Sequence, residues 1–304
     1  MLAPVPCRPC FFTGGAAQNC QGFPDSGTLK LGGAEGLGVS ANIFVGMVEA
    51  PLLVRPYIQQ MTRSELFTLM TSGMATIAGT VMILYASILE SVIPHDRPYF
   101  DRIGNQRAGR HCGFQIMVPE TGTPTSGRMT SAEPAVSTMD AVTRGTAQGL
   151  ELLLNIIAMV IVLVALVHLV NIIMALLPPF HSAPFTLQRI FGWIMSPVVW
   201  LMGIPWAEAH VAGSLMGTKT ILNELIAYIN MRNLPEGVLN PKSLVIMSYA
   251  LCGFANPGSL GIMIGGLSGI APERRKDIVA LGLRSVVAGT IATCMTGAVV
   301  GILV

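Results

Sequence analysis

One stretch near the start of the chain, residues 41–56, most constrains what this chain can fold into. It reads ANIFVGMVEAPLLVRP, an apolar run with a carboxylate, Glu49, near its middle and a proline, Pro51, two residues later. A charged side chain at the centre of a bilayer costs at least about 2.5 kcal/mol, and proline removes a backbone donor and clashes with the preceding turn. Such a segment is tolerated at membrane depth where it lines a protein-enclosed, wet cavity. The stretch therefore predicts a broken segment, with Glu49 as a candidate site residue.

The composition indicates an integral membrane protein. Of the 304 residues, 52% are hydrophobic and only 11% are charged, and the mean hydropathy is +0.62. A soluble domain usually carries about 25% charged residues. The net charge of +2 is too small to suggest a nucleic-acid surface, and we expect no signal peptide because no N-terminal segment has the required three-part pattern. We therefore expect an all-α polytopic membrane protein.

A second segment of the same kind lies in the other half of the chain, at residues 211–228. It reads VAGSLMGTKTILNELIAY and again carries an acid, Glu224, in apolar surroundings. Lys219 and Asn223 lie close to that acid in the sequence. The segment is therefore a second candidate for a charged hairpin.

Each charged segment precedes a helix with an irregular centre. The helix predicted over residues 66–89 is small and hydroxyl-bearing around residues 75–80, and the one over residues 243–267 is interrupted by GFANPGS at residues 253–259. Corresponding interrupted segments in two halves indicate a transporter that is built on repeats and binds its substrate near the midplane. The sequence therefore predicts two re-entrant hairpins and two interrupted transmembrane helices in an inverted-repeat transporter core.

The chain divides into four predicted regions. Residues 1–30 are rich in Gly, Pro and Cys and form an atypical, disordered N-terminus. Residues 31–95 hold the first hairpin and a spanning helix, the first half of the core. Residues 96–149 form an atypical polar stretch and a loop. Residues 150–304 hold the second half, with the clearest spanning helix at 150–177, the second hairpin and the C-terminal helices.

Local signals refine this plan. Ser64 is expected to cap the N-terminus of the helix that follows it. His168 and Asn171 lie at i and i+3 on one helix face, where we expect a buried, hydrogen-bonded histidine rather than a catalytic one. Residues 185–200 are amphipathic with aromatic ends, which is typical of an interfacial helix. Residues 271–277, APERRKD, form a basic hinge that the positive-inside rule assigns to the cytoplasm.

The cysteines offer a weaker alternative. Cys7 and Cys10 have the CxxC spacing of a redox or zinc element. No second pair or nearby histidine completes a metal set, so this interpretation is not favoured.

Five ordered motifs resemble the concentrative nucleoside transporter family. They are residues 42–57 (NIFVGMVEAPLLVRPY), 71–85 (TSGMATIAGTVMILY), 217–228 (GTKTILNELIAY), 250–266 (ALCGFANPGSLGIMIGG) and 271–289 (APERRKDIVALGLRSVVAG). The resemblance implies a homotrimer whose protomers place two re-entrant hairpins and two unwound helices around a nucleoside site. It also implies transport driven by the co-movement of sodium or protons.

The resemblance also implies roles for individual residues. Glu49 and Glu224 contact the substrate, and Asn256 and Ser259 hydrogen-bond the ribose hydroxyls together with Glu224. The remaining substrate contacts implied are Gly46, Met47, Val48, Val81, which lines the base, and Phe254. The implied sodium site lies on Asn42, Val45, Thr76 and Ile77, whose oxygen atoms suit a hard cation.

The chain departs from the family in three places. The first hairpin has Met47 and Val48 where the family often has Gln and Thr, so the base preference is open while ribose recognition is not. About three N-terminal spanning helices expected of the family are not found. Residues 96–116 replace a further helix with four arginines and two aspartates, and the resemblance resumes at Met117. We expect two compensating reading-frame shifts there, and the alternative is a true polar insertion; residues 1–28 are a second candidate for an out-of-frame segment.

The function predicted from these observations is an ion-coupled nucleoside symporter, using sodium or protons and no other cofactor, that imports nucleosides across a bacterial inner membrane. Truncation or frameshift could make this chain inactive. A non-transporting structural or regulatory membrane subunit is the first alternative. A membrane-embedded enzyme with Glu49 and Glu224 as an acid/base pair is the second, but no nucleophile or metal set accompanies those acids. The partners expected are the nucleoside, lipid and two further copies, and not nucleic acid.

Overall fold

The secondary structure is helical, as predicted. The computed structural model describes residues 33–42, 45–89, 117–125, 137–176 and 185–304, and no strand occurs within those ranges. In chain order the helices are α1 (Gly33–Ala41), α2 (Glu49–Leu53), α3 (Arg55–Ile58), α4 (Arg63–Ala75), α5 (Gly79–Leu89), α6 (Thr138–Met174), α7 (Leu187–Leu201), α8 (Trp206–Ile221), α9 (Glu224–Arg232), α10 (Pro241–Ala250), α11 (Pro257–Ile270) and α12 (Arg275–Leu303), with a 3₁₀ turn at Pro272–Arg274.

The helix predicted over residues 66–89 is interrupted at its centre. Helix α4 ends at Ala75, and α5 begins at Gly79. Thr76 follows α4 in an extended conformation, with φ −124° and ψ 170°. Its hydroxyl donates to the Ser72 carbonyl oxygen at 2.8 Å and so satisfies one of the carbonyls that the end of the helix leaves unpaired. The small, hydroxyl-bearing centre seen in the sequence is therefore an opened backbone.

Asparagine caps specify both breaks in the second half. Helix α8 ends at Ile221 and α9 begins at Glu224, with Asn223 Oδ1 accepting from the Ile226 amide at 2.9 Å. Helix α10 ends at Ala250 and α11 begins at Pro257, which follows the N-cap Asn256. Asparagine at the N-cap and proline at the first helical position both favour a new helix start. The predicted interruptions are confirmed, while the re-entrant and inverted-repeat character of the segments stays a prediction.

The start of α4 differs from the prediction. Thr62, and not Ser64, is the N-cap: Thr62 Oγ1 accepts from the Glu65 amide at 3.1 Å, and Glu65 Oε2 accepts from the Thr62 amide at 2.9 Å. This reciprocal pair is a capping box. Ser64 lies inside the helix, and its hydroxyl donates to the Val118 carbonyl at 2.8 Å. The prediction for Ser64 is wrong because a threonine three residues before a glutamate satisfies two backbone groups at once.

Helix α6 is longer than predicted and mostly exposed. It begins at Thr138, where Ser137 caps it, rather than at residue 150, so residues 138–149 are helical and not a loop. Among the described residues, α6 and the stretch Pro272–Leu303 are the two helices long and apolar enough to cross a membrane. Only 6% of the most apolar 18-residue window of α6 is buried inside the protein, whereas 50% of the corresponding window of the second stretch is buried. Helix α6 therefore presents apolar surface outward, while α12 is part of the core.

Two apolar clusters form the core, and α12 runs through both. The first cluster joins α4, α11 and the beginning of α12 and includes Met74, Met263 and Leu281. The second joins α5 and α8–α10 to the end of α12 and includes Tyr85, Met216, Ile246 and Val300. Phe254, in the break between α10 and α11, packs against both clusters. The irregular backbone therefore lies where the two clusters meet.

The α7–α8 pair packs through glycines. The predicted amphipathic helix is confirmed as α7. A Cβ atom on Gly217 would lie 2.6 Å from the Gly192 amide nitrogen, and one on Gly213 would lie 2.9 Å from the Ser196 amide nitrogen. Glycine at these positions lets the two backbones touch.

Candidate functional site

A buried carboxylate lies at the second pair of breaks. Glu224 is the first residue of α9 and is 5% exposed. Tyr85 Oη, from α5, donates to Glu224 Oε1 at 2.7 Å, and Asn256 Nδ2 donates to Oε2 at 3.3 Å. Each carboxylate oxygen therefore has a side-chain donor from a different helix. An ionised acceptor held in this way makes stronger hydrogen bonds than a neutral one.

The cap of α11 fixes the orientation of Asn256. Its Oδ1 accepts from the Ser259 amide at 2.8 Å, so its Nδ2 is the atom turned to Glu224. Asn256 and Ser259 are both buried. The structure therefore brings together three of the predicted sugar-binding residues, Glu224, Asn256 and Ser259.

The first pair of breaks is also joined by a polar contact. Asn42 Nδ2, after the end of α1, donates to Thr76 Oγ1 at 2.6 Å. Ile77 is buried next to Thr76, whereas Val45 is exposed. The groups available here are amide, hydroxyl and carbonyl oxygens. Such neutral and hard donors fit a sodium ion better than a transition metal. The structure thus joins two of the four predicted ion-site residues directly.

The predicted contacts of the first hairpin divide into two groups. Glu49 is exposed, and its carboxylate folds over Gly46, where an added Cβ atom would overlap it. Met47 and Val48 are buried and fill the spaces beside two helix glycines, Gly73 of α4 and Gly266 of α11. Their apolar side chains therefore pack the hairpin against the core. A role for these four residues in binding substrate stays a prediction.

The two interrupted helices touch at their breaks. A Cβ atom on Gly253 would lie 3.1 Å from the Met74 carbonyl oxygen and 3.3 Å from the Ala75 carbonyl carbon. The break after α10 therefore packs directly on the last turn of α4. Val81 of α5 is half-buried against the same cluster as Tyr85. The break that carries Asn256 is thus in direct contact with the helix turn that precedes Thr76.

Sequence reasoning gave no role to two residues at this centre. Tyr85 binds Glu224, and Lys219 Nζ donates to the Ala250 carbonyl at 2.8 Å and to Thr293 Oγ1 at 2.9 Å. The signal for Lys219 was its position in a helix of small and apolar residues, where a lysine has to find partners. Tyr85 gives a weaker signal, because a tyrosine hydroxyl in an apolar helix commonly finds a partner of some kind.

Two other predicted features lie away from this centre. His168 is exposed, so the expectation of a buried histidine is wrong; α6 has little protein against that face. Its neighbour Asn171 does bind, donating to Gln188 Oε1 at 3.0 Å and accepting from the Leu187 amide at 2.9 Å. Cys7 and Cys10 lie outside the described residues. Within the residues that are described, no group of three or more His, Cys, Asp or Glu side chains could hold a metal ion.

Helices that break around buried polar groups, together with a long apolar outer helix, are the features of a membrane transporter. Comparison with known proteins supports this class. A family model described as "Na+ dependent nucleoside transporter C-terminus" matches residues 113–301, and one described as "Nucleoside recognition" matches residues 28–92.

Individual relatives agree with the family models. The uncharacterized transporter YutK of Bacillus subtilis is 40% identical over 283 residues, which is 91% of this chain and 68% of the relative. The nucleoside permease NupC of Helicobacter pylori is 34% identical over 297 residues, covering 96% and 68%. The solved structure of CNTnw in an inward-facing substrate-bound state has a TM-score of 0.74 at 37% identity, covering 91% of this chain and 66% of that one.

The chain therefore belongs to the concentrative nucleoside transporter family, and it is an integral membrane protein. It spans about two thirds of the length of the relatives described here. The resemblance in the five sequence motifs is confirmed.

Proposed function

We propose that this chain is an ion-coupled nucleoside symporter. The observation that carries the proposal is the buried Glu224 carboxylate, held by Tyr85 and Asn256 where the breaks of two helices meet. A buried carboxylate with oriented amide donors beside it is suited to a neutral, hydroxyl-rich ligand. A nucleoside presents two adjacent ribose hydroxyls, which can donate to a carboxylate and accept from an amide.

The proposed binding roles are those that the family resemblance implies, and the contacts among Glu224, Asn256 and Ser259 support them. Glu224, Asn256 and Ser259 form the ribose end of the proposed site. Val81 and Phe254 supply apolar surface for the base, and the first hairpin, Gly46 to Glu49, closes the site from the other half. Because Met47 and Val48 carry no hydrogen-bonding groups, these two side chains offer the base no hydrogen bonds, and the base preference stays open.

The coupling ion is proposed to bind at the first pair of breaks. Asn42 and Thr76 are in contact there, and Val45 and Ile77 supply backbone oxygens nearby in the chain. Sodium is the ion that the matching family model names, and the neutral oxygen donors suit it. A proton is the alternative, and it would need a titratable group at this position.

The proposed assembly is a homotrimer in a bacterial inner membrane. Helix α6 exposes an almost continuous apolar surface that includes Leu153, Ile161, Leu169 and Ile173. In a membrane, lipid or further copies of the chain would cover a surface of this length. The same proposal makes the protein a transporter of unchanged nucleoside and not an enzyme.

The test is uptake by the full chain reconstituted in liposomes. An inward sodium gradient should drive the accumulation of radiolabelled uridine, and uridine extracted afterwards should be chemically unchanged. Uridine accumulation that depends on neither a sodium gradient nor a proton gradient would refute ion coupling. Conversion of the uridine would refute the assignment as a transporter that performs no chemistry.

The reading-frame hypothesis for residues 96–116, which lie outside the described residues, stays a proposal. The two family models leave residues 93–112 unmatched between them, which supports an anomalous insert between two normal flanks. Resequencing the codons for residues 93–120 and translating all three frames tests it. Another frame that encodes an apolar helix joining both flanks would support the hypothesis, and the absence of such a frame would establish a true polar insertion.

A further inference from the structure

Lys219 is a lysine with no exposed surface, near the end of α8. Its ammonium donates to the Ala250 carbonyl oxygen and to Thr293 Oγ1. Removing an ammonium from water costs several kcal/mol unless it is paired and hydrogen-bonded. A neutral residue that met the same packing need would avoid that cost. The charge itself therefore calls for an explanation.

The partners of Lys219 show what the charge does. Ala250 is the last residue of α10, and the carbonyls at a helix C-terminus carry partial negative charge. Lys219 lies in the last turn of α8, and Glu224 begins α9 on the other side of the break. One fixed cation thus binds the end of the interrupted helix and lies five residues before the carboxylate of the proposed sugar site.

The equivalent sequence position in the first half carries no cation: residue 44, 175 positions before Lys219, is a phenylalanine. Glu49 and Glu224, which begin α2 and α9, are 175 residues apart, and so are Ala75 and Ala250, which end α4 and α10. Just beyond Ala75 the chain offers the neutral Asn42–Thr76 contact, where we place the mobile ion. Beside Ala250, in the second half, the chain instead supplies the ammonium of Lys219.

We propose that Lys219 is a positioning residue. Its fixed positive charge occupies, in the second half of the chain, the place that the mobile ion occupies in the first half. It holds the end of α10 and balances the Glu224 carboxylate, so the sugar-binding groups are set before any ion arrives. The proposal rests on the proposed nucleoside site, because the purpose it gives to the ammonium is to keep Glu224 directed at the ribose.

Binding of uridine to the purified full chain, measured by titration calorimetry, tests the role. Lys219→Met removes the charge and keeps an unbranched side chain only one atom shorter, and Lys219→Ala leaves a cavity. Both should weaken uridine affinity at least about tenfold, the usual effect of losing one charge-assisted interaction. The fraction of protein competent to bind should stay unchanged.

Chemical rescue distinguishes a role of the positive charge of Lys219 from a role in packing alone. Propylammonium has the atoms that Lys219→Ala removes, so it should restore uridine affinity in that variant. It should not do so in Lys219→Met, whose cavity is filled, and 1-propanol should restore neither. Unchanged uridine affinity in folded Lys219→Met would overturn the proposal, and so would a loss in Lys219→Ala that propylammonium does not reverse.

A milder pair of variants covers the case in which the lysine variants do not fold. Thr293→Val removes one acceptor of the ammonium and leaves the lysine, whereas Thr293→Ser retains the hydroxyl. Uridine affinity should fall severalfold in the first and stay within about twofold in the second; equal affinities would overturn the proposal. If the unmodified chain binds no uridine, the proposed function itself fails. If it binds and all variants bind equally well, only the role of Lys219 fails.

Discussion

Replacing Glu224 by glutamine isolates the charge of the proposed sugar site. The amide has the shape of the carboxylate and can keep both contacts, since its oxygen can accept from Asn256 Nδ2 while its NH₂ group donates to Tyr85 Oη. Folding should therefore change little. Truncation to alanine is a poorer test, because it would leave two buried donors without their acceptor.

The magnitude follows from the hydrogen bonds to the ligand. A bond to an ionised acceptor contributes about 1 kcal/mol more than one to a neutral acceptor. Two ribose hydroxyls donating to Glu224 would then lose about 2 kcal/mol together, which is about a 30-fold increase in Kd. The loss should disappear for 2′,3′-dideoxyuridine, because that ligand has no hydroxyls to donate.

Titration calorimetry with both ligands is the assay, and the chain offers a matched control. Glu208 also accepts two hydrogen bonds, from the Asn240 amide at 3.1 Å and from Asn240 Nδ2 at 2.9 Å. Asn240 is the N-cap of α10, at the opposite end of that helix from Ala250. Glu208→Gln should leave uridine affinity unchanged. A Kd for uridine within about twofold of the unmodified chain in Glu224→Gln would refute the assignment of Glu224 to the ribose.

Three further predictions test the rest of the structure. Thr76→Val should raise the sodium concentration for half-maximal uridine uptake about tenfold. Thr71→Val, which removes a buried hydroxyl with no hydrogen-bond partner among the described residues, should not, and equal effects would remove Thr76 from the ion site. Met47→Gln should change the ranking of bases in competition uptake more than it changes the preference for ribose over deoxyribose, and an unchanged ranking would place Met47 away from the base. Gly213→Ala should lower the unfolding temperature, because its methyl group would press into the backbone of α7 at a cost of about 1–3 kcal/mol. Gly149→Ala, whose methyl group meets no described residue within 4 Å, should not lower it, and equal temperatures would contradict the close α7–α8 contact.

The breaks were predictable because their causes are local. Asn256 followed by Pro257 is a helix start in any context, and Asn223 before Glu224 is another. The break at Thr76 was less certain, because small residues serve close packing as well as they serve an opened backbone. Tertiary contacts decide between close packing and an opened backbone, and here the contact is the hydrogen bond from Asn42 to Thr76.

Features that depend on distant residues were not predictable. The sequence marks Lys219 only as a lysine among apolar residues and gives a weaker signal for Tyr85. It does not give their partners, because α10, α12 and α9 meet these side chains only in the folded chain. The prediction for His168 was wrong for a related reason: a polar residue in an apolar helix does not show which face of the helix packs against protein. The prediction that Ser64 is the N-cap was wrong for a local reason, because the capping-box pattern that begins at Thr62 is present in the sequence and was missed.

The contact at Gly253 has a thermodynamic consequence. The last turn of α4 and the break after α10 share this contact, so neither can shift far without displacing the other. If an ion binds beside Thr76 and a nucleoside beside Asn256, the two occupancies are linked through it, and linkage is reciprocal: the factor by which sodium tightens uridine equals the factor by which uridine tightens sodium. Under the proposed function, the Gly253 contact is thus a direct path by which binding of the ion and binding of the nucleoside stabilise each other.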